Sequence, residues 1–190
     1  MKNIADIDEN FKVSANVARE GIRFYNAEEK PFEIYGAFWE NEKLRRLPES
    51  VAKAVSPGVH AQHADTAGVR VRFVTDSPYV AISAAMGRLG KMPHFALTGS
   101  TGFDLYADNE YVKTFVPPFA MTDGYDSLIE LGERREREIT VNFPLYSDVK
   151  RLYIGLDGAA AVKSPAPYKN EKPVVYYGSS ITQGALTLIT

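Results

Sequence analysis

The sequence predicts an all-β protein, a jelly-roll-like antiparallel β-sandwich over residues 1–162, followed by a polar linker and the beginning of an α/β unit. Three observations carry this expectation. Apolar and polar residues alternate with period two along many short segments, which puts one set of side chains on a buried face and the other in water. Turn-forming residues separate those segments at the short intervals of a sandwich. Hydrophobic residues make up 45% of the 190-residue chain, enough for one core of ordinary size.

Ile22 to Tyr25 and Phe32 to Trp39 are the first strand candidates. Glu49 to Val55 is the one helical candidate, because Pro48 precedes a run containing Ser50, Val51, Ala52 and Ala54. Pro57-Gly58 and Thr66-Ala67-Gly68 then bracket what reads as a loop at the end of the sandwich. Val69, Val71 and Phe73 alternate with Arg70, Arg72 and Val74, and Thr75-Asp76-Ser77-Pro78 turns into Tyr79 to Ser83 as a hairpin. His94 to Thr98, Phe103 to Tyr106 and Tyr111 to Val116 are further strands, parted by Gly99-Ser100-Thr101-Gly102 and Ala107-Asp108-Asn109-Glu110. Leu128 to Leu131, Glu138 to Phe143 and Arg151 to Leu156 bring the set to about ten, the spacing of a jelly roll. Lys163 to Lys172 is polar and holds Pro165 and Pro167, so it reads as a linker.

Beyond Pro173, the run Val174-Val175-Tyr176-Tyr177 fits a strand buried on both faces, as parallel strands are. Gly178 permits a sharp exit, and Ser180 falls where a helix would begin. Free N–H groups at a helix start stabilise a developing oxyanion and help to place a nucleophile. Thr182 stands where a Gly-x-Ser-x-Gly elbow needs its second glycine, and no Lys follows Gly184, so neither that elbow nor a phosphate loop is present.

Gly178-Ser179-Ser180-Ile181-Thr182-Gln183-Gly184 resembles the first sequence block of the SGNH (GDSL-type) esterases, with Ser179 where many members have Asp. Gly102-Phe103-Asp104-Leu105-Tyr106 resembles the Gly-x-Asp-Leu-Tyr signature of a domain at the N-terminus of a subgroup of those enzymes. Asn142-Phe143-Pro144-Leu145-Tyr146 and Thr66 to Phe73 are similar to the same domain, and the two motifs occur in the family's order. The resemblance implies that Ser180 is the acyl-accepting nucleophile, with its own N–H and the Gly178 turn forming the oxyanion site. It also implies a base in a downstream Asp-x-x-His motif. No histidine follows Ser180 in these 190 residues, so residues 173–190 are expected to be the start of a truncated SGNH domain and the chain as given to be inactive.

The resemblance implies hydrolysis of acylated carbohydrates or small acyl esters, with the missing catalytic domain as intramolecular partner. An apolar strand at 174–177 without a sheet to join leaves backbone groups unpaired, and self-association through the tail is expected. A stand-alone carbohydrate-binding module is the alternative, using a row of aromatics that could include Trp39, the sole tryptophan. A purely structural role for the sandwich, packed against the catalytic domain, is the third reading.

Other candidates weigh less. His60 and His63 with Asp65 have a spacing that suits zinc on a helical turn, but the flanking Pro and Gly residues argue for a loop, and no metal or cofactor is expected. His94 lies in the same region of the chain. Asp104 reads as a residue that organises its adjacent turn through side-chain to backbone bonds. Glu133-Arg134-Arg135-Glu136-Arg137-Glu138 reads as a solvated turn or strand end. The chain has no cysteine, which removes disulfides and thiolate chemistry. A net charge of −2 without a basic run argues against nucleic acid and anionic membranes. No apolar run reaches the roughly 20 residues that span a bilayer, and acids at Asp6, Asp8 and Glu9 fit no signal peptide, so a cytoplasmic location is expected.

Overall fold

The computed structural model describes residues 17–41 and 43–169, together with Ile4, Phe11, Lys12, Ser14, Ala15, Lys172, Gly178 and Thr182. In chain order the strands are β1 (Ile22–Asn26), β2 (Glu33–Tyr35), β3 (Phe38–Glu40), β4 (Lys43–Arg45), β5 (Arg70–Thr75), β6 (Tyr79–Met86), β7 (Phe103–Ala107), β8 (Glu110–Phe115), β9 (Gly124–Glu130), β10 (Arg137–Asn142), β11 (Val149–Asp157) and β12 (Val162–Lys163). Three short helices interrupt them: α1 (Glu49–Val55), α2 (Pro57–Gln62) and α3 (Leu97–Thr101). With 39% strand against 12% helix, the architecture is set by sheets.

Every strand pairing among the described residues is antiparallel. One sheet has the order β1-β11-β6-β9; the other has β12-β5-β10-β7-β8, with β2 sharing the β5 edge beside β12. Val71, Phe73, Leu105, Ile139 and Val141 from the second sheet meet Val80, Ile82, Ile154 and Leu156 from the first in a single buried cluster. Those positions recur every second residue, so the period-two pattern of the sequence is the inward face of each strand.

The two outer faces are treated differently. On the first sheet, Phe24 and Ala81 pack with Val17 and Ile4 in a separate cluster, and Phe11 stands edge-on to Tyr153 at 5.1 Å. N-terminal residues thus cover that face. The outer face of the second sheet carries polar side chains from β5, β10, β7 and β8 and receives the chain leaving β12.

Four sequence expectations are corrected. Thr75-Asp76-Ser77-Pro78 is not a hairpin turn but a corner that takes the chain from β5 in one sheet to β6 in the other. Buried Ser77 ties this corner down, its hydroxyl donating to the Tyr79 carbonyl at 2.6 Å and accepting from the Asp157 N–H at 3.1 Å. His94 to Thr98 is not a strand: the chain turns at Phe95 and enters α3, where the Thr101 hydroxyl donates back to the Leu97 carbonyl at 2.7 Å. The expected loop around His60 is α2, because Ser56 caps the N–H of Val59 at 3.2 Å and Pro57 takes the first helical position. Phe32 to Trp39 is two strands rather than one. Gly36, at φ +83°, separates them, and a Cβ there would meet the Gly68 carbonyl oxygen at 2.6 Å.

Candidate functional site

The Gly-x-Asp-Leu-Tyr segment spans the end of α3 and all but the last residue of β7. Gly102 closes α3 by donating its N–H to the Thr98 carbonyl at 3.0 Å. Its φ of −75° suits any residue, so the need for glycine is steric: a Cβ would run into the Thr98 carbonyl oxygen and sit 2.8 Å from Thr114 Cγ2. Phe103 and Leu105 point into the core with no exposed surface, while Asp104 and Tyr106 face outward.

On that outer face the antiparallel registers line up two rows. One runs Arg70, Asn142, Asp104, Thr114, and the other Arg72, Thr140, Tyr106, Tyr111. Asp104 Oδ1 accepts from the Thr114 hydroxyl at 2.6 Å. Since Thr114 spends its proton there, the Tyr111 hydroxyl donates to Thr114 across 2.9 Å. Burial pushes the Asp104 carboxyl above the ordinary carboxylate range, and the Thr114 bond acts in the opposite sense. The Tyr106 and Tyr111 rings meet edge to face at 5.6 Å. Asp104 therefore ties β7 to β8 rather than organising its own turn, and it is a bracing residue of the sheet.

The same face fixes where the chain goes next. Lys163 pairs with Val74 at the β5 edge, and Arg72, 5% exposed, reaches over the following residues. Its Nη1 donates to the Ala166 carbonyl at 3.1 Å, and its Nη2 pairs with Glu138 Oε1 at 2.6 Å. The guanidinium lies 4.1 Å from the Tyr168 ring centre, and the Tyr168 ring meets Tyr35 edge-on at 4.8 Å. Burial works against the Arg72 charge, but the Glu138 bond, with Tyr168, more than offsets it and raises the pKa. The segment read as a linker lies against the second sheet as far as Tyr168. Sequence reading missed this clamp, since Arg72 and Ala166 are 94 positions apart and the resemblance of Thr66 to Phe73 assigns Arg72 no partner.

Ser180, the expected nucleophile, lies outside the described residues, as do the expected strand Val174 to Tyr177 and Ser179. Gly178 is described and exposed; the Thr182 side chain occupies the space that a Cβ at Gly178 would need.

A second cluster of polar residues gathers where β4, α1, α2 and the loops before β5 and after β6 meet. The His60 and His63 rings stack at 5.1 Å, and His63 Nδ1 lies 2.6 Å from the His60 carbonyl oxygen, which fixes the proton on Nδ1. His60 Nε2 is 3.4 Å from Glu49 Oε1, and hydrogen bonds from Lys53 and then His60 hold the Glu49 carboxyl down to about 2. Asp65 is buried and paired with Arg88; burial raises its pKa despite that partner. Among the described residues no group of three or more His, Asp or Glu side chains is arranged to hold a metal ion. His94 sits in the turn between Met92 and Phe95 that leads into α3. Of the exposed aromatics, Phe38 and Trp39 are neighbours on β3 and take opposite faces, Tyr111 is on β8, and Phe119 and Tyr168 lie outside the strands.

A family model described as GxDLY, the N-terminus of SGNH hydrolase-type esterases, matches residues 22–162. The chain belongs to this GxDLY family. Among solved structures it is similar to a GDSL-like lipase from Bacteroides ovatus ATCC 8483, with a TM-score of 0.74 and 25% identity, over 86% of this chain and 49% of that one. The fold is also that of the salicylyl-acyltransferase SsfX3 of a tetracycline biosynthetic pathway, with a TM-score of 0.62 and 18% identity, over 80% of this chain and 44% of that one. The GxDLY chain thus spans about half the length of these two structures. Among curated proteins no match is found.

Proposed function

We propose that this chain is the N-terminal accessory domain of an SGNH-type serine esterase that acts on acylated carbohydrates or small acyl esters, with Ser180 as the nucleophile of the adjoining catalytic domain. The observation that carries the reading is the order of the two motifs: a GxDLY domain over residues 22–162, followed by the Gly178 to Gly184 block. The domain, read as a jelly-roll-like sandwich of two sheets over one core, runs to residue 162, residues 163–172 connect it, and the SGNH domain begins at 173. In this arrangement the Arg72–Tyr168 clamp sets the direction in which the connection leaves, and so the position of the nucleophile strand relative to the second sheet.

The chemistry assigned to the adjoining domain is acyl transfer. The Ser180 hydroxyl attacks the ester carbonyl, a histidine takes its proton, and the Ser180 N–H donates to the oxyanion. The 190 residues place all three histidines, His60, His63 and His94, before the connection and none after Ser180. Triad groups act as a unit, so the serine alone gives almost no rate.

The test is hydrolysis of an aryl acetate by the 190-residue chain and by a protein that continues past Thr190 in the same reading frame, each beside its Ser180→Ala variant. Turnover abolished by Ser180→Ala in the longer protein, and no turnover above the variant in the 190-residue chain, are the expected results. Ser180-dependent turnover by the shorter chain would mean that one of its own histidines completes the site. Full activity of the longer Ser180→Ala protein would refute the assignment.

A further inference from the structure

Among the described residues, three buried side-chain nitrogens lack a hydrogen-bond partner: Arg45 Nε, Arg46 Nε and His63 Nε2. All three belong to one junction, where the end of β4 meets the end of α2 and the Arg46 N–H donates to the His63 carbonyl at 3.3 Å. Buried polar groups are almost always satisfied, so each orphan asks for an explanation; His63 Nε2, with the proton held on Nδ1, is an acceptor, which leaves the two arginine nitrogens as the unmatched donors.

Arg45 is the most telling of the three. The residue is 7% exposed, and among the described residues its guanidinium makes no hydrogen bond and no ion pair. Arg46 is better placed, donating from Nη2 to the Gln62 carbonyl at 3.0 Å; burial lowers its pKa, and the charge of Asp65 acts against that. Of the Arg45 nitrogens only Nε is fully out of water, but a cation this far desolvated without a counter-charge is unfavourable, and an anion offsets that cost. The planar fork of arginine fits the two oxygens of a carboxylate.

The neighbour of Arg45 narrows the class of anion. In the β3–β4 hairpin, Arg45 stands directly opposite Phe38, so the two side chains share a face, and Phe38 is 40% exposed. The pair Trp39 and Leu44 takes the other face and lines a small apolar hollow with Ala27, Ile34 and Leu152. An unpaired cation beside an exposed aromatic ring suits a ligand with an anionic head and an apolar body. We propose that the end of β4 is a binding site for a small organic carboxylate, whose oxygens pair with Arg45 and whose hydrocarbon part lies against Phe38. Arg46 Nε is a further free donor at the same junction. The inference does not depend on the esterase reading.

Isothermal titration calorimetry of the 190-residue chain with sodium acetate and sodium butyrate, against sodium chloride at equal ionic strength, tests it. Saturable heat is expected for both carboxylates and none for chloride. Butyrate should bind up to about tenfold more tightly, because two more methylenes are placed on Phe38. Phe38→Ala should bring butyrate close to acetate. Arg45→Met should abolish the heat and, having no buried charge, should melt at a higher temperature than the wild type in chloride. The proposal is overturned if neither carboxylate gives a saturable isotherm with the wild type, a result that no variant's folding affects. It is equally overturned if Arg45→Met keeps the wild-type affinity.

Discussion

Replacing Arg72 tests whether residues 166–168 are held on the second sheet. The guanidinium contacts that alanine removes are Glu138 Oε1 at 2.6 Å, the Ala166 carbonyl at 3.1 Å, the Tyr168 ring at 4.1 Å and, more distantly, the Tyr35 ring at 5.7 Å. A charged donor to a carbonyl contributes roughly 1.5–3 kcal/mol, and a cation over an aromatic ring about 1 kcal/mol when partly desolvated. The Glu138 side chain keeps 25% of its surface, so its ion pair lies between the surface and buried limits, at about 1–2 kcal/mol. Contacts of one group are not additive, and about 3 kcal/mol is the expected loss for Arg72→Ala. For a domain of this size that corresponds to a fall in Tm of roughly 6–12 °C. Arg72→Lys keeps the charge but loses the fork and the flat stack, and should cost about half as much. A double-mutant cycle of Arg72→Lys with Tyr168→Leu, followed by urea unfolding, should give a coupling of about 1 kcal/mol. A coupling below about 0.3 kcal/mol would refute the clamp and leave the connection free after β12.

How much of the fold was legible depended on which property each residue reports. Val71 and Phe73, or Ile139 and Val141, announce a strand because alternate residues are buried, and the structure has strands at those places. Alternation says nothing about the partner. The corner at Ser77 uses the same turn residues as a hairpin, and only the Asp157 N–H, 80 positions away, makes it a crossover. The helix at Pro57 had its signature in view, Ser56 as cap and Pro57 at the first position, but Gly58 and the β-branched Val59 weaken the pattern. The strand Lys43–Arg45 was not anticipated: three residues, two of them charged, are too few to show a period.

The site divides along the same line. Gly102, Asp104, Leu105 and Tyr106 could be singled out because they stand together in sequence, although what they do, closing α3 and bracing β7 against β8, depends on Thr98 and Thr114. Tyr168 and Arg45 carried no motif, and the segment that holds Arg72 gave it no role. Their roles arise from burial and from contacts across most of the chain, which only tertiary structure brings together. One signal was available: arginine at an alternating position of a strand with a buried neighbour on each side, as in Val71-Arg72-Phe73, needs either solvent or a partner.

Two further predictions concern the motif face. Asp104→Asn keeps the oxygen that accepts from Thr114 and removes a charge that burial disfavours. Because the folded-state pKa of Asp104 is raised, its stabilising contribution is complete below the unfolded value near 4 and is lost as pH rises through the folded value. At pH 7 the variant should therefore be at least as stable as the wild type in urea unfolding, and the wild type should gain on it as pH falls towards 4; the opposite trend would contradict the assignment of burial as the cause. Gly102→Ala is the sharper case, since φ −75° and ψ 155° suit alanine and the unfolded chain loses entropy on substitution, which alone would stabilise by roughly 0.4–1 kcal/mol. Against this, the new Cβ overlaps the Thr98 carbonyl oxygen and comes within 2.8 Å of Thr114 Cγ2. A backbone carbonyl at the end of α3 cannot move without opening the helix end that Gly102 closes, so the overpacking cost of about 1–3 kcal/mol dominates and a net loss of about 1–2 kcal/mol is expected. Adding Thr114→Ser removes the crowding methyl but keeps the hydroxyl that Asp104 accepts from, and should recover part of that loss. A Gly102→Ala protein that melts no lower than the wild type, or a double variant with no recovery, would show that steric closure at α3 is not why the motif begins with glycine.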